Sequence, residues 1–338
     1  MRALRPRLLH RTRNDMADRH SSIRRRLLHA GLALAAGAAA HPGLALAGAA
    51  GTRTLRIGYQ KGPLSLLKAR GTLQGKLATL GVNVTWTEFP SGPPQLEALN
   101  AGSIDFGDVG EAPPIFALAA GAPLVYYAQT PAGPTTEAVV VAKDSPVKTF
   151  ADLRGKRIAL VKGSNTHFLL VRLLQAAKLG YADVTPVWLS PSDARAAFEN
   201  RSVDAWIIWD PFLAVVQQAF GARIVADGTG LVENRSYYFA SRTYAQRNAD
   251  VLDAVVSELT TVQRWLDANR AQGAAEFSKL WGIPEPAVAL AFRRARFGVE
   301  PVTRDTLAYQ QRIADVFYQA GILPKRVDVS VAAPPSLA

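Results

Sequence analysis

The sequence predicts an α/β fold with two lobes, in which each lobe is a mostly parallel sheet flanked by helices. Two observations predict this fold: two separate series of alternating strand and helix patterns, and two strand-like segments that join the series. Such alternation is typical of a parallel sheet covered by helices. We interpret residues 137–142 and 236–240 as the two crossings, because the first is a β-branched run after a Pro- and Gly-rich stretch and the second leads back to a long helical region.

The elements of both series are bounded by glycines and prolines, which are favoured in turns and in the first turn of a helix. In the first series the predicted strands are residues 55–59, 82–89, 104–109 and 124–129, and the predicted helices are residues 64–80, 95–101 and 113–120. In the second series the strands are residues 157–161, 184–189, 204–209 and 223–225, and the helices are residues 166–179, 192–199 and 211–220. From residue 244 to about 320 the pattern is helical, with amphipathic spacing at 261–266 and 307–317.

The N-terminus predicts export. Residues 24–26 are three arginines that precede an apolar run, and residues 45–47 have the small-x-small form that signal peptidase cleaves. We therefore predict an export signal at residues 1–47. The signal fits either the general or the twin-arginine export route, and translation could start at Met1 or at Met16. The remaining chain is divided into lobe 1, residues 48–142 plus 236–338, and lobe 2, residues 143–235.

The composition excludes several classes of protein. The net charge of the chain is +12, but residues 1–47 hold nine Arg and two Asp, so their removal leaves a mildly basic +5. The cluster Arg293, Arg294 and Arg296 is interpreted as a solvated helix face, and nucleic acid is not expected as a partner. Because the chain has no cysteine, neither a disulfide nor a thiolate metal site can form.

Five Gly- or Pro-rich turns join a predicted strand to the helix after it. They are residues 60–62, 91–93, 110–113, 163–166 and 209–211. In a parallel α/β sheet such turns lie at the carboxyl ends of strands, where open sheets bind ligands. The helix N-termini behind them present free N–H groups and a positive dipole end. The turns carry hydrogen-bond donors and no catalytic set, which predicts binding of an anion without its transformation.

An inventory of reactive groups predicts no enzymatic activity, no metal site and no cofactor. His167 is the one histidine beyond residue 47, and no Gly-x-Ser-x-Gly motif occurs after the signal. Asp105 and Asp108 fall on opposite faces of a predicted strand, so they do not form a catalytic carboxylate pair.

Several segments carry a family resemblance. They are residues 57–62, 88–93, 96–100, 102–105, 113–117, 162–164, 193–198, 203–206 and 209–211. In order, from about residue 55 to residue 329, the chain resembles the substrate-binding proteins of aliphatic sulfonate ABC importers, within the wider sulfonate, nitrate and taurine group. The resemblance implies a type II periplasmic-binding fold and capture of a sulfonate between the lobes. The chain departs from the family pattern at Pro63, at Glu111 and at Asn165-Thr166.

The strongest predicted anion cradle is the turn at residues 163–166, where Gly163 lets the backbone come close and Ser164 and Asn165 add donors. Gln60 is interpreted as a ligand amide or a turn former, and Trp209 as a wall beside the alkyl group of the ligand or as core. The full predicted ligand-binding set is Gln60, Ser91, Gly92, Gly110, Glu111, Gly163, Ser164, Asn165, His167, Trp209, Asp210 and Tyr237.

Three members of that set have open interpretations. His167 either packs its helix or donates a hydrogen bond to the ligand. Asp210 would repel a sulfonate, so we interpret it as an N-cap or as the partner of a ligand amine or hydroxyl. Tyr237 and Tyr238 lie on the return crossing, and one of the two is expected to be structural.

Together these observations predict a periplasmic, monomeric solute-binding protein that captures small aliphatic sulfonates and delivers them to the permease of an ABC importer. The membrane is expected to be contacted only through that permease. One alternative keeps the fold and binds taurine, nitrate or a sulfate ester. Two others are a periplasmic enzyme acting on sulfonates or esters, and a pyrimidine-precursor protein of thiamine metabolism that shares the fold.

Overall fold

The computed structural model describes residues 53–337, so the predicted export signal lies outside the described residues. Over this range the chain forms ten strands and twelve α-helices. The strands are β1 (Arg53–Tyr59), β2 (Val82–Glu88), β3 (Phe106–Gly110), β4 (Leu124–Gln129), β5 (Glu137–Val141), β6 (Arg157–Leu160), β7 (Thr185–Trp188), β8 (Ala205–Trp209), β9 (Arg223–Asp227) and β10 (Ser236–Ser241). The helices are α1 (Pro63–Arg70), α2 (Thr72–Ala78), α3 (Gly92–Asn100), α4 (Pro113–Ala119), α5 (Asn165–Ala176), α6 (Pro191–Glu199), α7 (Phe212–Phe220), α8 (Arg242–Arg247), α9 (Ala249–Ala268), α10 (Arg270–Trp281), α11 (Glu285–Arg294) and α12 (Arg304–Gln319).

The strands form two five-stranded sheets, with the orders β2-β1-β3-β10-β4 and β7-β6-β8-β5-β9. In the first sheet β1 is parallel to β2 and β3, so that Ile57 lies opposite both Trp86 and Phe106. In the second sheet β6 is parallel to β7 and β8. Each sheet has one strand of opposite direction, β10 in the first and β5 in the second. The predicted α/β class with mostly parallel sheets is confirmed.

The two predicted crossings are strands inside the sheets. β5 pairs with β8 on one side and with β9 on the other, and all five of its residues are buried. It therefore belongs to the second sheet, although residues 137–142 are predicted as a connection within lobe 1. β10 is likewise enclosed between β3 and β4. The chain passes from one sheet to the other in the shorter segments before β5 and before β10.

The helix predicted at residues 64–80 is two helices, α1 and α2. Gly71 ends α1 with a φ of +69°, a left-handed conformation that glycine adopts without steric cost, and its N–H donates to the Lys68 carbonyl. After β10 the chain is helical from α8 to α12, as predicted. Among the described residues, no helix combines the length and the hydropathy that a membrane span requires.

The lobes share part of their hydrophobic core through α12. Phe317 of α12 is fully buried, and its ring centroid lies 4.9 Å from that of Phe116 in α4, 5.3 Å from that of His167 and 5.6 Å from that of Phe168 in α5. Because α4 follows a strand of the first sheet and α5 a strand of the second, Phe317 packs against both lobes. A second apolar contact joins α7 and α11 through four buried residues, Ala214, Val215, Ala287 and Ala291.

We expect Phe317→Ala to lower the free energy of unfolding by about 3–5 kcal/mol, because it leaves a cavity in the core shared by the lobes. Phe220→Ala is the matched control, since Phe220 is 43% exposed and its loss is expected to cost less than about 1 kcal/mol. Urea denaturation of the two variants and of the parent protein measures both values. Equal losses in the two variants would contradict the role assigned to Phe317.

Candidate functional site

All five predicted turns border one cavity of about 280 Å³. They follow β1, β2, β3, β6 and β8, so both sheets contribute the carboxyl ends of strands, as expected for a ligand site in open α/β sheets. The turn residues that line it are Gln60, Lys61, Gly62, Gly92, Gly110, Pro113, Ser164, Asn165, Trp209, Asp210 and Pro211. The Gly92 turn of the first lobe and the Ser164 turn of the second therefore share one cavity.

The first turn of α5 presents free backbone donors. Ser164 is the N-cap residue, but its hydroxyl donates to the Val161 carbonyl at 2.8 Å and does not cap the helix. Asn165 and Thr166 occupy the first helical positions, where N–H groups have no acceptor inside a helix. No other acceptor for these two N–H groups is found within residues 53–337. Together with the positive end of the helix dipole, they make this turn suited to an anion.

Asn165 connects the two lobes. Its Oδ1 accepts a hydrogen bond from the Ala112 N–H at 3.1 Å, and its Nδ2 donates to Asn234 Oδ1 at 2.5 Å. A Cβ atom at Gly110 would overlap the Asn165 amide, so glycine is required where α5 approaches β3. Gly110 thus has a packing role in addition to its place on the cavity.

On the first lobe, Gly92 supplies a backbone N–H donor at the start of α3. It is the first residue of α3, and the two residues after it are Pro93 and Pro94, which have no N–H. A Cβ atom at Gly92 would overlap Val109 and Pro113, so this turn also needs glycine. Ser91, the N-cap of α3, is buried and does not line the cavity.

Gln60 lines the cavity, but its amide is directed at the protein. Its Nε2 donates to Gln95 Oε1 at 3.1 Å and to the Asp108 carbonyl at 3.2 Å. The amide therefore fixes the turn after β1. Its carbonyl oxygen, a hydrogen-bond acceptor, does not suit an anion.

Asp210 is engaged on both carboxylate oxygens. Arg294 donates to Oδ1 at 2.7 Å and to Oδ2 at 2.8 Å, and the Ala214 N–H donates to Oδ1 at 3.1 Å. Burial raises the pKa of Asp210, and the Arg294 guanidinium opposes that rise. Asp210 lies one residue before Pro211, the N-cap of α7, but its carboxylate accepts an N–H of the first helical turn, as a capping side chain does, whereas a ligand amine would have to compete with Arg294 for the same oxygens.

Five predicted site residues do not line the cavity; they are Ser91, Glu111, Gly163, His167 and Tyr237. His167 is buried, its Nδ1 accepts the Gly163 N–H at 3.2 Å and its Nε2 is paired with the Tyr181 hydroxyl at 2.9 Å. The Gly163 N–H is therefore already used within the turn. Burial, with a smaller effect of Lys162, lowers the pKa of His167 to about 4. The packing interpretation of His167 thus applies.

Tyr237 is also core. It is fully buried, and its ring centroid lies 5.0 Å from that of Tyr126. Tyr238 is buried too and its hydroxyl accepts a hydrogen bond from Gln263, so both tyrosines of β10 are structural rather than one of them. The two tyrosines belong to different hydrophobic clusters, so both faces of β10 are covered at this point.

The arginine cluster near the end of α11 was not predicted to belong to the site. Arg293 and Arg296 are both exposed, as expected for a solvated face, but Arg294 binds Asp210 and Arg296 also lines the cavity. No carboxylate of the described residues lies within 4.0 Å of the Arg296 guanidinium. The helix ends at Arg294, so Arg293 belongs to the helix and Arg296 lies beyond its end.

Six aromatic side chains also line the cavity, and only Trp209 was predicted from the sequence; the set is Phe89, Trp209, Phe212, Trp281, Phe292 and Phe297. The positions of Phe292 and Phe297 on either side of the arginine cluster were the one available signal. Asn234, another missed residue, enters from the crossing before β10, and its Nδ2 donates to Thr136 Oγ1 at 2.9 Å. It reaches the cavity only through tertiary packing.

The cavity has little free negative charge. Lys61 lies 3.5 Å from Glu88, and Asp210 is paired with Arg294. Asp108 is buried, and this burial raises its pKa to about 7, so a large fraction of it is neutral near neutral pH. Free N–H groups and Arg296 therefore dominate the electrostatics that a ligand would meet.

Comparison with known proteins identifies the family. The family model described as NMT1/THI5 like matches residues 77–259. A protein of Escherichia coli (strain K12) named as an aliphatic sulfonates-binding protein is 41% identical over 286 residues, which cover 84% of this chain and 90% of that protein. The chain belongs to this family. A Bacillus subtilis (strain 168) member of the same name is 29% identical and covers 82% of this chain and 84% of its own.

Solved structures agree with this assignment to the aliphatic sulfonate-binding family. The alkanesulfonate-binding protein SsuA from Xanthomonas axonopodis pv. citri, bound to MOPS, has a TM-score of 0.80 and 40% identity, with 83% of this chain and 97% of that chain covered. SsuA from Escherichia coli has a TM-score of 0.75 and 41% identity, with 83% and 91% covered. The resemblance predicted from the sequence is confirmed. The desulfurization enzyme DSZB, at a TM-score of 0.60 and 18% identity, shares the fold alone.

Two buried carboxyl groups lie beside the crossings. Glu111 is fully buried, its Oε2 accepts the Arg235 N–H at 3.2 Å, and burial raises its pKa to about 8. Glu137 is fully buried, and neither of its oxygens has a partner in the described part of the chain. Burial and, to a smaller extent, the charge of Glu111 raise the pKa of Glu137 well above its usual range.

The raised pKa of Glu111 predicts that the stability of the fold falls between about pH 4.3 and pH 8. The pKa of Glu111 is about 8 in the folded state, above the ordinary value of about 4.3, so its neutral form stabilises the fold fully at low pH and this contribution is lost as the pH rises through 8. Glu111→Gln keeps a neutral side chain and is expected to flatten that decline by up to about 1.4 kcal/mol per pH unit.

Urea unfolding at pH 5, 6.5 and 8 measures the effect of Glu111→Gln. Glu285→Gln, at an exposed position, is the matched control and is expected to follow the parent protein. Parallel pH curves for the parent and Glu111→Gln would show that ionisation of Glu111 does not oppose folding.

Proposed function

We propose that this chain captures small alkanesulfonates in the periplasm and delivers them to the permease of an ABC importer. One observation carries the proposal. The first turn of α5 has no side-chain cap, and it borders a cavity that the Gly92 turn of the other lobe also lines. Membership of the aliphatic sulfonate-binding family supports the same ligand class.

The chemistry of a sulfonate matches this site. A sulfonate is charged at every biological pH, so it needs directed N–H donors and dipoles and has no use for a proton acceptor. The Asn165 and Thr166 N–H groups supply such donors from lobe 2, and the Gly92 N–H supplies one from lobe 1. Arg296, on the cavity wall, adds a positive charge that raises the local concentration of anions.

We further propose that ligand capture is coupled to closure of the two lobes. Donors from both lobes can grip one anion only when the lobes come together, and Asn165 forms hydrogen bonds with Ala112 and Asn234 in the arrangement described here. The crossings before β5 and before β10 would serve as the hinge. If the lobes are divided at these two crossings, β5 belongs to lobe 2.

The same proposal treats the protein as a monomeric binder and not as an enzyme. The groups on the cavity are backbone donors, aromatic rings and paired charges, and His167 is engaged by Gly163 and Tyr181. A periplasmic enzyme acting on sulfonates would give turnover, whereas a binder releases its ligand unchanged. Product analysis after prolonged incubation with ethanesulfonate distinguishes the two.

Calorimetric titration of the exported protein with ethanesulfonate, taurine, nitrate and sulfate tests the ligand class. We expect saturable binding of ethanesulfonate at one site per chain and weaker binding of taurine, because Arg294 already occupies the carboxylate of Asp210 that a ligand amine would need. Binding of nitrate or sulfate with no heat for any sulfonate would remove the proposed function.

The backbone donor at Asn165 can be tested separately from its side chain. Asn165→Ala removes the amide but keeps the N–H, whereas Asn165→Pro removes both. Proline is tolerated here because Asn165 is the first residue of α5 and Ser164 before it is extended, with a ψ of −179°.

We expect Asn165→Pro to bind ethanesulfonate roughly 10 to 100 times more weakly than Asn165→Ala, the effect of one hydrogen bond to a charged group. Thermal unfolding of both variants controls for stability. Equal affinities would show that the N–H of Asn165 does not bind the ligand.

A further inference from the structure

Aromatic side chains make up most of the large apolar residues on the cavity wall. Six aromatic rings line it, whereas its aliphatic side chains are Val109, Ala291, Ala295 and prolines. A pocket that served alkyl chains alone would need no more than branched aliphatic residues. The composition of this wall therefore carries information about the ligand beyond its anionic group.

Five of the rings fall into two groups, Trp209 with Phe212 and Phe292 with Phe297 and Trp281. The Phe292 and Phe297 centroids are 4.9 Å apart with planes at 72°, and those of Trp209 and Phe212 are 6.5 Å apart with planes at 78°. Behind them, Phe277 lies 4.3 Å from Trp281 and 5.4 Å from Phe292. Three of these contacts are close to edge-to-face and that of Phe277 with Trp281 is tilted, so each ring on the cavity except Phe89 is held by a neighbouring ring.

The cavity has room for a ring as well as an acid group. A cavity of roughly 150 Å³ holds a benzene molecule, and this one measures about 280 Å³. Arg296 lies next in the chain to Phe297, and a guanidinium can also contact the face of a ligand ring. Ring faces and a cation thus stand on the same cavity as the N–H donors of α5.

We infer that, beyond the small alkanesulfonates of the proposed function, this chain binds arenesulfonates, and binds them more tightly than saturated sulfonates of the same size, because their ring packs against the aromatic wall that includes Trp209 and Phe297 while the sulfonate meets the first turn of α5. The inference rests on the proposed function and adds the class of the organic group. It follows from the attraction between aromatic rings in offset or edge-to-face contacts, which adds to the free energy gained from the area that they bury.

Benzenesulfonate and cyclohexanesulfonate form a matched pair of ligands for the test. Both have six ring carbons and the same acid group, and the saturated ring is the more hydrophobic of the two. Competition calorimetry on the exported protein is expected to show benzenesulfonate binding about fivefold or more tightly than cyclohexanesulfonate. A purely hydrophobic wall would favour cyclohexanesulfonate, so a ratio of one or below overturns the inference.

Phe297→Leu and Trp209→Leu remove a ring and keep apolar volume. Each is expected to weaken the binding of benzenesulfonate more than that of cyclohexanesulfonate, so that the ratio of the two affinities moves toward one. Phe220→Leu, at an exposed ring outside the cavity, is the control and should keep the ratio of the parent protein. An unchanged ratio in both cavity variants also overturns the inference.

Ethanesulfonate separates the two proposals. If it binds but the aromatic preference is absent, the ligand class of this subsection is wrong and the proposed function stands. If neither ethanesulfonate nor benzenesulfonate binds, the proposed function itself fails.

Discussion

The free N–H groups at the start of α5 are the feature on which the rest of the site depends. They are free because the Ser164 hydroxyl, which could cap the helix, donates to the Val161 carbonyl instead. Leaving a buried donor unpaired costs about 1–3 kcal/mol, and this cost is recovered when an anion accepts the hydrogen bonds. The turn therefore exchanges stability of the empty protein for affinity toward a charged ligand.

The position of this turn relative to the other lobe is set by Asn165 and by Gly110. Asn165 joins Ala112 in one lobe to α5 in the other, and the close approach of its amide to β3 is possible only because residue 110 has no side chain. A helix N-terminus alone would attract any anion weakly. Donors held on two lobes by one interlobe contact give the anion a defined geometry, which is what specificity needs.

The sequence predicts the turns and fails on residues whose environment depends on distant elements. The turn at residues 163–166 is punctuated by glycine and helix-capping residues in the local sequence, so its place on the cavity could be foreseen. His167 and Tyr237 could not be assigned in this way, because α12 and the strands beside β10 bury them. The place of β5 in the second sheet could not be foreseen for the same reason, since its pairing with β8 and β9 is nonlocal.

The buried pair of Asp210 and Arg294 shows how the lobes can meet without being locked. It joins α7 of one lobe to α11 of the other, and every oxygen of the carboxylate is hydrogen-bonded. The desolvation cost of such a pair roughly cancels its attraction, so its net contribution to lobe contact is small, although removal of one partner alone costs about 3–5 kcal/mol. The pair therefore fixes the register of α7 against α11 more than it stabilises closure. If the lobes close on an anion as proposed, an interface of that kind would leave the balance between open and closed forms to the ligand, because only the ligand completes the hydrogen bonds of the free N–H groups.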